Sequence, residues 1–178
     1  MINIYCTRKL EKLIGKNNMS LKPMANELGN WNANVFPIQG RKCLIIMNDI
    51  SFYCLLFLDV LKKDLIDFNE LFGNRLTEQL DYDGIVLSGK CREAIMNNIE
   101  CRFLPTNNNR KVLGTMNEFV YEIEYNLHRN YYGQLKLVNL PKLNSILTRY
   151  LIGALSPKRS EFGRPIEEMS IMLEKFCS

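Results

Sequence analysis

Two stretches carry most of the side chains that could do chemistry in this chain. The first is Thr106-Asn107-Asn108-Asn109-Arg110, placed just before an apolar repeat of helical period. A helix start presents unpaired N–H groups and the positive end of the helix dipole, the ingredients of a site for an anion such as phosphate. Arg110 and Lys111 fall in the first turn, where the dipole favours acidic residues, so cations there point to an anionic partner. Ordinary N-capping by Thr106 or Asn109 is the simpler account of the same residues. Asn117 follows on the same helix beside Gly114 and Met116, and an amide buried there needs a hydrogen-bond partner.

The second stretch, Trp31 to Leu58, holds the only tryptophan and a polar set of Asn32, Asn34, Arg41, Lys42, Asn48 and Asp49. Asn32 and Asn34 have the same strand parity and point to one face. Arg41 and Lys42 straddle the end of a turn at Gln39-Gly40, where their charges gather at the sheet's end. Asn48 and Asp49 suit the next turn through side-chain bonds to the backbone, which needs no ligand. His128 is the only histidine and falls at a helix end, where a cation helps the dipole. No G-x-S-x-G, H-E-x-x-H, G-x-G-x-x-G or phosphate-loop pattern accompanies it. The six cysteines (6, 43, 54, 91, 101, 177) form no C-x-x-C pair, and five lie in or beside apolar runs. They read as reduced structural thiols, with no metal site and no cofactor.

These residues must be positioned by an α+β framework. Ile2, Ile4 and Cys6 alternate with polar neighbours as a first strand, and Thr7 then opens a helix over Arg8–Ile14. Residues 16–30 are rich in Asn, Ser, Gly and Pro and read as a surface loop or lid. Asn32–Ile38, Lys42–Met47 and Ser51–Leu58 read as an antiparallel meander. Leu65, Phe68, Leu71, Phe72, Leu76 and Leu80 mark a long helix, with Gly73 a point of kinking or close packing. A short helix over Lys90–Asn97 capped by Ser88, a strand over Glu100–Leu104 and a second long helix over Arg110–Arg129 follow. Leu135, Leu137 and Leu140 read as a last strand or a packed loop. A helix over Lys142–Leu155, a polar loop at Ser156–Pro165 and a final helix over Ile166–Phe176 complete the chain. Strands early and helices late predict a mainly antiparallel sheet with helices packed mostly on one face.

A length of 178 residues, 47% of them hydrophobic and 24% charged, predicts one domain with its own core, residues 141–178 included. The opening MINIYCTRKL has no apolar leader run, and no segment approaches a membrane span, so a cytoplasmic protein is expected. The net charge of +4 is small but unevenly spread, with a basic stretch over residues 1–22 and an acidic one over 59–83.

Four motifs in order, Cys6–Leu10 (CTRKL), Leu28–Asn34 (LGNWNAN), Arg41–Asn48 (RKCLIIMN) and Thr106–Asn117 (TNNNRKVLGTMN), resemble a small bacterial family known only as a domain of unknown function. The resemblance implies that Thr7, Lys9, Asn34, Arg41, Lys42, Asn48, Thr106, Arg110 and Asn117 are family features, and it implies no activity. The expected role is a non-catalytic binding or regulatory protein of a bacterial or phage conflict or toxin–antitoxin system, acting on a protein partner. A nucleic acid or nucleotide partner, or a small enzyme acting on a phosphate-bearing substrate, is the alternative. The binding candidates are Asn34, Arg41, Lys42, Asn48, Thr106, Asn107, Arg110 and Asn117. Asn34, Arg41, Thr106, Arg110 and Asn117 are expected to converge in one cleft between the meander and the start of the second long helix.

Overall fold

The computed structural model describes residues 1–97, 99–155 and 162–177. Its strands are β1 (Ile2–Cys6), β2 (Trp31–Ile38), β3 (Arg41–Asn48), β4 (Cys54–Phe57) and β5 (Cys101–Pro105). Its helices are α1 (Arg8–Ile14), α2 (Phe68–Asp83), α3 (Gly89–Asn97), α4 (Arg110–Tyr131), α5 (Leu140–Thr148) and α6 (Pro165–Cys177). The expected loop at Ser156–Pro165 lies, over residues 156–161, outside the described residues.

The strands form one sheet in the order β4-β3-β2-β1-β5. β2, β3 and β4 are antiparallel, as the meander predicts, but β1 runs parallel to both β2 and β5. The sheet is therefore mixed rather than mainly antiparallel. Parallel neighbours need crossovers, and α1 supplies one between β1 and β2.

Helices cover both faces. Ile2, Ile4, Trp31, Ala33, Leu44, Ile46 and Leu55 pack on one side with residues of α1, α2, α3 and α6. Trp31 meets Phe72 of α2 edge-on, with ring centroids 5.2 Å apart. Phe36, Ile38, Cys43, Ile45, Met47, Cys54 and Leu56 point the other way, onto α4 and α5. The two long helices thus lie on opposite faces. The signal was in the unbroken apolar runs Leu44–Met47 and Cys54–Phe57, because a strand that faces solvent on one side alternates and these do not.

Several local expectations change for identifiable reasons. β4 starts at Cys54 rather than Ser51 because Phe52 takes a left-handed turn, φ 56°. The long helix after the meander is preceded by a 3-10 turn at Lys62–Leu65 and starts at Phe68. Gly73 is a close approach: a Cβ there would come within 2.9 Å of Ile99. Leu135–Leu137 is a 3-10 turn rather than a strand, and α5 ends at Thr148, short of Leu155. Nor are all the thiols reduced, since Cys91 and Cys177 form a disulfide between α3 and α6.

Polar groups cover part of both sheet edges. At β4 the Leu56 N–H donates to Asn144 Oδ1 (2.7 Å), Asn144 Nδ2 donates to the Cys54 carbonyl (2.9 Å) and Arg75 Nε donates to the Leu56 carbonyl (3.0 Å). Arg75 is buried and also bonds Gln79 and Glu78. Beside it, buried Asp83 accepts from Tyr53 Oη (2.7 Å), Thr148 Oγ1 (3.1 Å) and Arg149 Nη1 (2.6 Å). Burial, reinforced by the Asp83 charge, pushes the Tyr53 hydroxyl far above its ordinary pKa. At β5 the Cys101 N–H donates to Asn69 Oδ1 and the Phe103 carbonyl accepts from the Ser20 N–H.

Asn144→Ala leaves a buried donor at Leu56 and a buried acceptor at Cys54 without partners. It should lower the unfolding free energy by about 2–4 kcal/mol in urea denaturation. A loss well under ~1 kcal/mol would show that water reaches this edge.

Candidate functional site

β1 and β5 are parallel neighbours that end level with each other, Cys6 opposite Pro105. From these ends the chain departs to opposite sides: α1 packs on one face of the sheet and α4 on the other. Where neighbouring parallel strands send their connections to opposite faces, an α/β sheet has a switch point, and the crevice outside the strands' carboxyl ends is where such sheets commonly hold ligands. The residues at its mouth are Thr7, Glu11, Asn34 and Thr106 to Arg110.

The polar groups here hold one another in place. Thr7 sits at the N-cap position of α1, but its hydroxyl makes no capping bond. It donates instead to Asn34 Oδ1 at 2.9 Å, while the Thr7 N–H donates to the Ala33 carbonyl at 3.0 Å. Glu11 accepts the Thr106 N–H at 3.0 Å, tying α1 to the end of β5. The loop is then folded by its own side chains. The Asn108 N–H donates to Thr106 Oγ1 and the Asn109 N–H to Asn107 Oδ1, each at 3.1 Å. Asn108 is left-handed, φ 55°. The Val112 N–H reaches Asn109 Oδ1 at 3.4 Å, the cap expected of that residue.

What remains unused is cationic. Arg8, Lys9, Arg110 and Lys111 are exposed around the crevice, and none forms an ion pair with a described residue. On the sheet face below, Asn32 is 1% exposed and its Nδ2 has no hydrogen-bond partner. It points to the same side of β2 as Asn34. A buried amide donor without a partner is costly and marks a place able to take an acceptor atom.

The thiols near this framework are not nucleophiles. Burial, and secondarily the Glu11 charge, pushes the Cys6 thiol far above its ordinary value, and burial pushes Cys101 up to about 12. His128 is exposed in the last turn of α4. Among the described residues no three His, Cys, Asp or Glu side chains gather where a metal could sit.

The other expected site residues go elsewhere. Arg41 and Lys42 lie at the β2–β3 hairpin end, where Arg41 pairs with Asp59. There Arg41 lines a pocket of about 400 Å³ with Gln39, Leu58, Asp59, Gln134, Leu135 and Lys136. Gln39 donates to the Gly133 carbonyl, just past the end of α4. Arg41 is thus near the C-terminus of α4 and Arg110 at its N-terminus, separated by a helix of 22 residues, about 33 Å. The single cleft is therefore wrong: Thr106, Asn107, Arg110 and Asn34 belong at one end of α4, Arg41 and Lys42 at the other. Asn117 is exposed with no hydrogen bond to a described residue, so it joins neither group. Asn48 is fully buried as a turn organiser, accepting from Ile50 N–H, Ser51 N–H and Ser51 Oγ and donating to the Leu28 carbonyl. Sequence reasoning missed Glu11, Gln39, Asp59 and Lys136, because polar residues on turns and short helices carry no periodic signal.

Asn48→Ala should cost about 2–4 kcal/mol of stability, since several buried groups lose their partner together. Asn117→Ala should change stability by less than about 0.5 kcal/mol. Chemical denaturation of the two variants beside the parent measures the contrast.

No helix of the described residues is long and apolar enough to cross a membrane. No curated protein matches the chain, and no solved structure matches it. One family model does match, over residues 3–168, and its description is a domain of unknown function, DUF6933. A match over nearly the whole length has one meaning: the chain belongs to the DUF6933 family.

Proposed function

We propose that the chain is a non-catalytic binding protein of the cytoplasm, and that its switch-point crevice receives an anionic group, a carboxylate or phosphate, presented by a protein partner. The observation that carries this reading is the imbalance of charge at the crevice. Arg8, Lys9, Arg110 and Lys111 form no ion pair with a described residue, while the Glu11 carboxylate accepts the Thr106 N–H. Four cations in the first turns of α1 and α4, which leave the sheet at this end, raise the local concentration of anions and orient them on approach.

The same geometry weighs against the enzyme reading. The hydroxyls at the crevice face amides rather than a base: Thr7 Oγ1 donates to Asn34, and Thr106 Oγ1 accepts from Asn108. Neither hydroxyl donates to a carboxylate or an imidazole among the described residues. A place in a bacterial or phage conflict pair is part of the same proposal, and its support is that a small module with an unneutralised cationic crevice suits partner capture.

The test pairs affinity capture from a native-host extract with thermal shift. Arg110→Ala should move the melting temperature by no more than about 2 °C, because the side chain is exposed and unbonded. It should weaken partner capture roughly tenfold, the size of one charge-assisted bond. A melting shift with a small nucleotide, strengthened by magnesium and followed by turnover of that nucleotide, would establish the enzyme instead. Stabilisation by oligonucleotides alone would make the partner a nucleic acid.

A further inference from the structure

The cysteines of the chain divide into one bonded pair and four single thiols. Cys91 lies in the first turn of α3 and is 4% exposed, whereas Cys177 is the exposed last residue of α6. Their bond joins positions 86 residues apart, with Cα atoms 5.3 Å from each other, an ordinary disulfide span.

The burial around this bond is shallow on both helices. α6 is anchored by Met169, Met172 and Leu173, which enter the core before the last turn, and in that turn Phe176 is only partly packed. α3 buries only Cys91 and Ile95, and its ion pair from Arg92 to Asp81 is exposed on both sides. Between the two helices lies a pocket of about 230 Å³, lined by Leu87, Ser88, Ser170, Leu173 and Glu174 beside the two cysteines.

We propose that Cys91 and Cys177 form a reversible redox clasp, which fastens the last turn of α6 to α3 when oxidised and frees it when reduced. The oxidant is a small-molecule disulfide of the glutathione class. The exposed Cys177 thiolate attacks one sulfur of that disulfide and expels one thiolate, leaving a mixed disulfide on Cys177 Sγ. The Cys91 thiolate then attacks Cys177 Sγ, expels the second small thiolate and closes the Sγ–Sγ bond. Two electrons pass from the cysteines to the small disulfide, and their two protons end on the two thiols released. Reduction runs the same steps backwards, entering at Cys177. The four single cysteines stay out of the exchange, because burial raises the pKa of each and keeps reagents away. With the clasp open, Met169 and Leu173 still hold the start of α6 while its end and α3 separate, widening the pocket between them.

The full chain, equilibrated in glutathione buffers from reducing to oxidising and quenched by alkylation, tests this by peptide mass mapping and hydrogen exchange. The expected result is one linkage, Cys91 to Cys177, whose occupancy rises across the series. Reduction should speed amide exchange at the end of α6 and over Gly89–Asn97 while the amides of β1 to β3 stay protected. The melting temperature should fall by roughly 5–15 °C on reduction, as loss of a long-loop crosslink does in a chain of this size. Cys177→Ser should melt like the reduced parent in every buffer. The proposal is overturned by absence of the bond in oxidising buffer, by a bond that excess reduced glutathione leaves intact, or by equal exchange at α3 and α6 in both states. Complete loss of protection across the whole sheet on reduction would equally overturn it, since the chain would then not stay folded without the bond.

Discussion

The arrangement depends on how the backbone of β4 is satisfied. β4 is the edge strand with its apolar side chains buried on both faces, so its outward N–H and C=O groups lie where water is scarce. Asn144 from α5 and Arg75 from α2 supply the missing partners. These helices belong to opposite layers, and they meet only around this edge, where Gln79 of α2 also donates to the Pro141 carbonyl of α5. Asp83 extends the contact by collecting Tyr53, Thr148 and Arg149. A buried polar network of this kind costs free energy when partly satisfied and specifies one packing when complete. Here it sets the position of both helical layers relative to the sheet.

How legible this was depends on the kind of signal. Helices and strands with a clean period were readable to within a residue or so: β1, α1 and the start of α4 follow directly from apolar spacing and caps. The topology was not, because pairing β1 with β5 requires contacts across nearly a hundred positions, and nothing in a period-2 pattern distinguishes a parallel neighbour from an antiparallel one. The two-sided burial of β3 and β4 is visible in their unbroken apolar runs, since a strand covered on one face alone would alternate. The network at β4 had a signal too. Arg75 and Asn144 interrupt the apolar stripes of their helices, beside Phe72 and Leu76 in one case and Leu143 and Leu147 in the other. A polar residue in a stripe that must be buried asks for a partner, and the partner here is backbone.

The candidate site was legible in part for the same reasons. Asn109 capping α4 and Asn48 organising a turn follow from side-chain chemistry over three or four residues. Thr7 behaved otherwise: as an N-cap it would turn back on its own helix, yet its hydroxyl turns across to Asn34 on the next parallel strand. Only the sheet order explains that choice. The separation of Arg41 from Arg110 was likewise hidden in the chain, although the length of α4 alone keeps residues at its two ends from sharing a cleft. Proximity in sequence to conspicuous motifs proved a poor guide to proximity in space.

The partial closure of both sheet edges limits how this protein can be recognised. Many peptide-binding domains accept a ligand as an additional strand, drawing affinity from main-chain pairing and only specificity from pockets. At β4 the Leu56 N–H and the Leu56 and Cys54 carbonyls are already taken by side chains, while at β5 Asn69 holds the Cys101 N–H, the Ser20 N–H holds the Phe103 carbonyl and Pro105 has no N–H to offer. A partner that adds a strand therefore finds either ladder interrupted, and main-chain pairing alone holds it poorly. It must read side chains on helices and loops, so its affinity will vary with residue identity and with salt rather than with the length of an extended segment.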